Sequence, residues 1–138
     1  MGRPLRSRLV HWPARPVDEG GSAVVDFVMV GSLLTMFFLA TIQLTLILHV
    51  RNTLIDAAAS GARYGTLADR EASDAAERAE DLIGTALNDD FAQDIRTSEV
   101  SFQGFRTLEV TIRAPMPVIG LIGPRGMLEV RGHAAIQH

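Results

Sequence analysis

The sequence has no cysteine and no lysine, one tryptophan and one tyrosine in 138 residues. Without cysteine there is no disulfide and no thiolate ligand, so an exported part must rely on its own packing or on neighbours. The four histidines, His11, His49, His133 and His138, are scattered, with no pair at metal-ligand spacing. No serine stands in a nucleophile-elbow pattern, and Gly120, Gly123 and Gly126 lie among prolines rather than between a strand and a helix. Asn88, Asp90, Asp94 and Glu99 fall loosely at calcium-loop spacing, but Gln93 stands where the loop needs glycine and Ala92 occupies a ligand position; a turn is the better reading. These gaps exclude an enzyme, a cofactor, a metal site and a small-molecule substrate. Nucleic acid is excluded by charge: residues 51–138 hold nine Arg against 13 Asp and Glu, with no basic face to offer.

Charge is also absent from Phe27 to Val50, 24 residues rich in Leu, Ile, Val, Phe and Met. About 20 such residues in a helix cross a bilayer core of about 30 Å, and a chain this short cannot bury a helix that is apolar all round. The stretch therefore reads as a transmembrane helix. Asp26 opens it, in what the sequence suggests is its first turn, where the helix dipole favours an anion. Arg3, Arg6, Arg8 and Arg15 precede the span and the acidic part follows it. That asymmetry puts the N-terminus in the cytoplasm and the C-terminal part outside.

Spacing gives Asp26 a sharper meaning. Gly20-Gly21-Ser22-Ala23-Val24-Val25-Asp26-Phe27 places a carboxylate five residues after Gly21, behind an Arg-rich leader. Past the span runs Arg51-Asn52-Thr53-Leu54-Ile55-Asp56-Ala57-Ala58-Ala59-Ser60-Gly61-Ala62-Arg63-Tyr64. Together these segments resemble the TadE-like family of minor pseudopilins of the tight-adherence (Flp, type IVb) pilus machinery, strongly over residues 20 to 67. The family usually carries Glu where this chain has Asp26. The resemblance implies a protein of the bacterial cytoplasmic membrane, cut after Gly21 by a prepilin peptidase to leave Ser22 as the new N-terminus. Asp26 would be the assembly carboxylate, pairing with the amino group of Ser22 in an adjacent subunit. The implied partners are other pilins and pseudopilins and the tight-adherence assembly platform.

Four segments and an α+β fold follow. Residues 1–21 are Arg- and Pro-rich and read as a disordered leader with His11-Trp12 in its middle; residues 22–50 form the span. Residues 51–67, free of proline, continue it as a helical stem, so that Ser22 to Leu67 forms one helix about 70 Å long at about 1.5 Å per residue. Ala57, Gly61 and Gly65 make a small-residue ladder, beside Arg63 and Tyr64, on which another helix can approach closely. It serves neighbouring subunits, the chain's own domain, or nothing beyond a tolerant stem.

Residues 68–138 form a small α+β domain. A second, amphipathic helix over Asp69–Leu87 starts near Ser73 and Asp74 and turns Ala76, Ala79, Leu82, Ile83, Ala86 and Leu87 inward. From Glu99 the period becomes two: Val100 and Phe102, then Leu108, Val110 and Ile112, with Gly104 as the turn. With Met127–Ala135 these give about three antiparallel strands. Pro115–Gly126 reads as an apolar loop that cannot be a central strand, and Val118 to Ile122 within it touches membrane, touches another subunit, or lies under the sheet. Two other functions fit the residues: an uncleaved single-pass adaptor of a secretion or pilus platform, and an exported domain released by signal peptidase at Ala57-Ala58-Ala59. The last conflicts with an apolar stretch far longer than a signal peptide's core of roughly 7–15 residues.

Overall fold

A computed structural model of the chain describes Gly2, residues 19–118 and residues 126–137. Most of the Arg-rich leader, with His11-Trp12, and residues 119–125 of the apolar loop lie outside the described residues. The chain divides into two compact units, residues 1–38 and 39–138. In the first, the described elements reduce to the opening turns of α1, the helix Glu19–Gly65, whose exposed side chains include Phe27, Met29, Leu33 and Met36.

α1 is continuous over 47 residues, crossing the apolar run and the proposed stem without a break. No proline interrupts it, and its polar residues do not divert the backbone: Ser32, Thr35, Thr45 and Thr53 each donate to the carbonyl four residues back. The described part of the helix begins at Glu19, so Gly20 and Gly21 are helical. It closes at Gly65, two residues before Leu67, where Thr66 and Leu67 turn back onto the carbonyls of Arg63 and Tyr64.

The second unit is α+β. α2 spans Ala72–Ala86, a 3₁₀ turn covers Asp89–Phe91, and three strands follow: β1 Asp94–Phe102, β2 Phe105–Pro115 and β3 Met127–Ala135. α2 starts three residues later than expected because Glu71 caps it. The Asp74 carboxylate accepts from the Glu71 backbone N–H at 2.8 Å, half of a capping box. Its buried face is Ala75, Ala79 and Ile83. Ala79, Leu82, Ile83 and Leu87 turn inward as expected, but Ala76 is only half-buried, Ala86 is exposed, and Ala75 is the residue fully buried beside them. At Asn88–Asp90 the chain makes the expected turn: the Asn88 side chain accepts from the Asp90 N–H.

The sheet is an antiparallel meander in the order β1-β2-β3. A two-residue turn at Gln103-Gly104 joins β1 to β2, with φ of 52° and 84°. Positive φ at both positions matches the right-handed twist of the strands, and glycine takes the second at no steric cost. β1 begins at Asp94, five residues before the alternation becomes legible, because it is an edge strand whose side chains are at most half-buried. Pro115 belongs to β2 as its last residue, opposite Met127, where its missing N–H matters least.

The core lies between the sheet, α2 and the C-terminal part of α1. Leu108, Val110, Ile112 and Ala114 of β2 and Val130 of β3 face Val50, Leu54, Ala57, Ala58 and Ala62 of α1 and Ala75, Ala79 and Ile83 of α2. Alanine dominates the helical side, so the backbones pack closely. At Gly132 an added Cβ would come within 2.3 Å of the Ala58 carbonyl carbon and 2.4 Å of the Ala59 nitrogen. Glycine is required there because β3 lies directly on the α1 backbone.

Candidate functional site: the N-terminal helix

The chemistry-bearing features of this chain are spread along α1. Gly21, Ser22 and Asp26 are all exposed. α1 is already helical at Glu19, so Asp26 stands about two turns inside it. The dipole effect decays within the first turn, so it does not account for a carboxylate at Asp26. Among the described residues Asp26 has no hydrogen-bond or ion-pair partner.

From Phe27 the helix carries its apolar side chains outward. Val24, Phe27, Val30, Leu33, Met36, Phe37 and Leu44 are each more than half exposed. Among the described residues it is the one helix long and apolar enough to cross a membrane. The hydroxyls of Ser32, Thr35 and Thr45 bond their own helix at 2.7–2.8 Å, as polar groups facing hydrocarbon must. Gln43 is different: its Nε2 donates to the Pro117 carbonyl at 2.6 Å, across to the segment that follows β2.

Beyond Val50 the same helix becomes part of the domain. Ala57 is buried; an added Cβ at Gly61 would meet the Ala75 carbonyl oxygen at 2.6 Å and one at Gly65 would meet the Ala75 Cβ at 2.6 Å and Leu108 Cδ2 at 2.7 Å. The small-residue ladder therefore seats the chain's own α2 and β2. Arg63 is exposed, and Tyr64 is half-buried with the Arg70 guanidinium 4.8 Å over its ring. Ala57-Ala58-Ala59 lies in mid-helix with Ala57 and Ala58 buried, which counts against cleavage there.

The outer face of the sheet is an ion-pair lattice. Glu129 accepts from Arg113 and Arg131, each at 2.7 Å, and these two arginines hold its carboxyl below the usual carboxylate range, Arg131 contributing most. Arg131 is pushed up in turn by the Glu129 carboxylate. His133 meets Glu109 at 2.8 Å and stacks on Phe102. A cleft of about 280 Å³ beside Gly65 is lined by Arg70, Glu71, Glu99 and Arg106, but Arg106 is paired with Glu99 at 2.8 Å. Among the described residues no three His, Asp or Glu side chains gather where a metal ion could bind.

Two residues escaped the reading of the sequence. Gln43 looked like one more polar residue in an apolar run, and nothing local distinguishes it. Gly132 did carry a signal, since glycine inside a strand marks a bulge or a close backbone approach. Comparison with known proteins supplies what the geometry leaves open. No curated protein and no solved structure matches the chain. The family model described as TadE-like protein matches residues 21–63, from the glycine before Ser22 to the arginine before Tyr64, and this segment of the chain is TadE-like.

Proposed function

We propose that the chain is a minor pseudopilin of a tight-adherence pilus system, anchored in the cytoplasmic membrane by α1 with its N-terminus inside and residues 51–138 outside. A prepilin peptidase removes the leader after Gly21, and Asp26 then receives the amino group of Ser22 from an adjacent subunit. The observation that carries this reading is the TadE-like match over residues 21–63 on an exposed apolar helix that holds an unpartnered carboxylate. The charge asymmetry across the span supports the orientation. A carboxylate in lipid costs roughly 2.5–3.5 kcal/mol at mid-bilayer, so a position that keeps one calls for a partner. An ion pair between subunits would fix register even where its net stabilisation is small.

Asp26→Ala tests this directly. The variant is expected to insert as well as the parent, judged by carbonate-resistant membrane fractionation, and to abolish piliation. Normal piliation by Asp26→Ala would eliminate the pairing.

One observation favours a second reading, an uncleaved single-pass adaptor of the assembly platform. The Gly21-Ser22 peptide lies inside α1 rather than in an extended segment, so a peptidase would have to unwind the helix start to reach it. The state of the N-terminus in cells separates the two.

A further inference from the structure

The hydrogen bond from Gln43 to Pro117 ties the end of the β2–β3 connection to a particular level of α1, and that level is where a bilayer would end. From Gly21 to Ile42 every residue except Gly31 is exposed; from Gln43 onward burial begins, with Gln43, Leu46 and Ile47 half covered and Val50 buried. That stretch of 22 residues spans about 33 Å at about 1.5 Å per residue, close to the roughly 30 Å of a hydrocarbon core. The domain therefore starts where the lipid-facing length of the helix has been used.

The strands run toward the same level. Gly132 sits on Ala58 of α1, and Met127 lies five residues back along β3, about 17 Å at about 3.4 Å per residue. Along α1, Ala58 to Gln43 is about 22 Å. Pro115 is paired with Met127, and Met116 N–H donates to the Gly126 carbonyl, so both strands end together near Gln43. What they present there is apolar: Val118 is 42 % exposed and Met127 is 61 % exposed. Large exposed apolar side chains held at the boundary of an apolar helix fit the acyl and headgroup boundary of a membrane. The Gln43 amide, which would be expensive to leave unbonded at that depth, has the Pro117 carbonyl as acceptor.

We infer that the end of the domain built by Pro117, Val118 and Met127 rests in the lipid interface, so that the exported domain lies on the bilayer surface instead of standing clear of it. The inference rests on the membrane-spanning reading of α1 and goes beyond it by assigning a second lipid contact.

The absence of cysteine makes the test simple. The full chain carrying Val118→Cys is labelled with an environment-sensitive fluorophore and reconstituted in phosphatidylethanolamine–phosphatidylglycerol vesicles. Quenching is measured with lipids bearing a shallow nitroxide, with lipids bearing a nitroxide deep in the acyl chain, and with aqueous iodide. Thr85→Cys on the exposed side of α2 serves as the aqueous control and Leu33→Cys in the apolar run as the lipid control; Met127→Cys replaces Val118→Cys if the latter fails to fold. The expected result is nitroxide quenching at 118 several-fold above that at 85, with iodide protection. Two outcomes overturn the inference alone: a label at 118 that iodide reaches as freely as at 85, or one shielded from both quenchers, which marks a protein contact. A label at 33 that lipid nitroxides fail to quench overturns the spanning reading, and the inference with it.

Discussion

At the scale of single residues, the glycines divide sharply by environment. A methyl group at Gly132 would meet the backbone of Ala58 and Ala59, and backbone atoms cannot swing away as a side chain would. Gly132→Ala is expected to destabilise the domain by about 1–3 kcal/mol or more, as overpacking does, and to accelerate proteolysis of the detergent-solubilised protein. Gly31→Ala meets nothing within 4 Å and should leave the same assay unchanged. Glu129 gives a pH-dependent counterpart. Its carboxyl titrates lower in the folded chain than in the unfolded one, so its contribution is present above the unfolded value and lost as pH falls through the folded one. Glu129→Gln should therefore lower Tm slightly at neutral pH, and the difference from the parent should close in acid. The effect is small because the ion pairs lie on the surface, where solvent screens them. The legibility of these residues differs for a physical reason. Gly21 and Asp26 are singled out by their spacing along the chain, a signal that needs no distant partner. Gly132 and Gln43 matter through partners 74 positions away in sequence, Ala58 and Pro117; glycine inside a strand hints at a close approach at Gly132 without naming its partner, and nothing local marks Gln43.

Among the elements, α1 changes character along its length without changing conformation. Its first half meets solvent or lipid on all sides, while Val50, Leu54, Ala57, Ala58, Gly61 and Ala62 form a stripe that the domain buries. Leu54 is fully buried among these, so Leu54→Ala should cost about 2–5 kcal/mol, read as lower Tm or earlier proteolysis of the domain. The helix, its extent and the three strands were legible because uninterrupted apolar composition and period-two alternation are strong signals. The inward face of α2 was legible only in part, at Ala79, Leu82, Ile83 and Leu87. Alanine at 72, 75, 76, 79 and 86 lets two adjacent faces look equally apolar, and Ala75 is the one that lies against Gly61 and Gly65 of α1. The start of β1 was hidden for a related reason: Thr97, Ser98 and Glu99 on an edge strand show no alternation, and pairing with Val110, Glu109 and Leu108 of β2 defines them instead.

For the whole molecule, the TadE-like segment and the apolar helix fit a membrane-associated protein related to pilus assembly, and residues 39–138 add a small α+β domain built around the C-terminal part of the same helix. That economy is why the domain needs no disulfide: the C-terminal half of α1 serves as its central packing element, and the sheet and α2 close over it. The processed pseudopilin reading stands or falls on the N-terminus. Intact mass and N-terminal sequencing of the membrane-extracted protein, with and without a co-expressed prepilin peptidase, measure it directly. The account predicts a chain beginning at Ser22 only when the peptidase is present. A chain that keeps its Arg-rich leader beside an active peptidase would contradict it, and would leave α1 as a fixed anchor of the assembly platform.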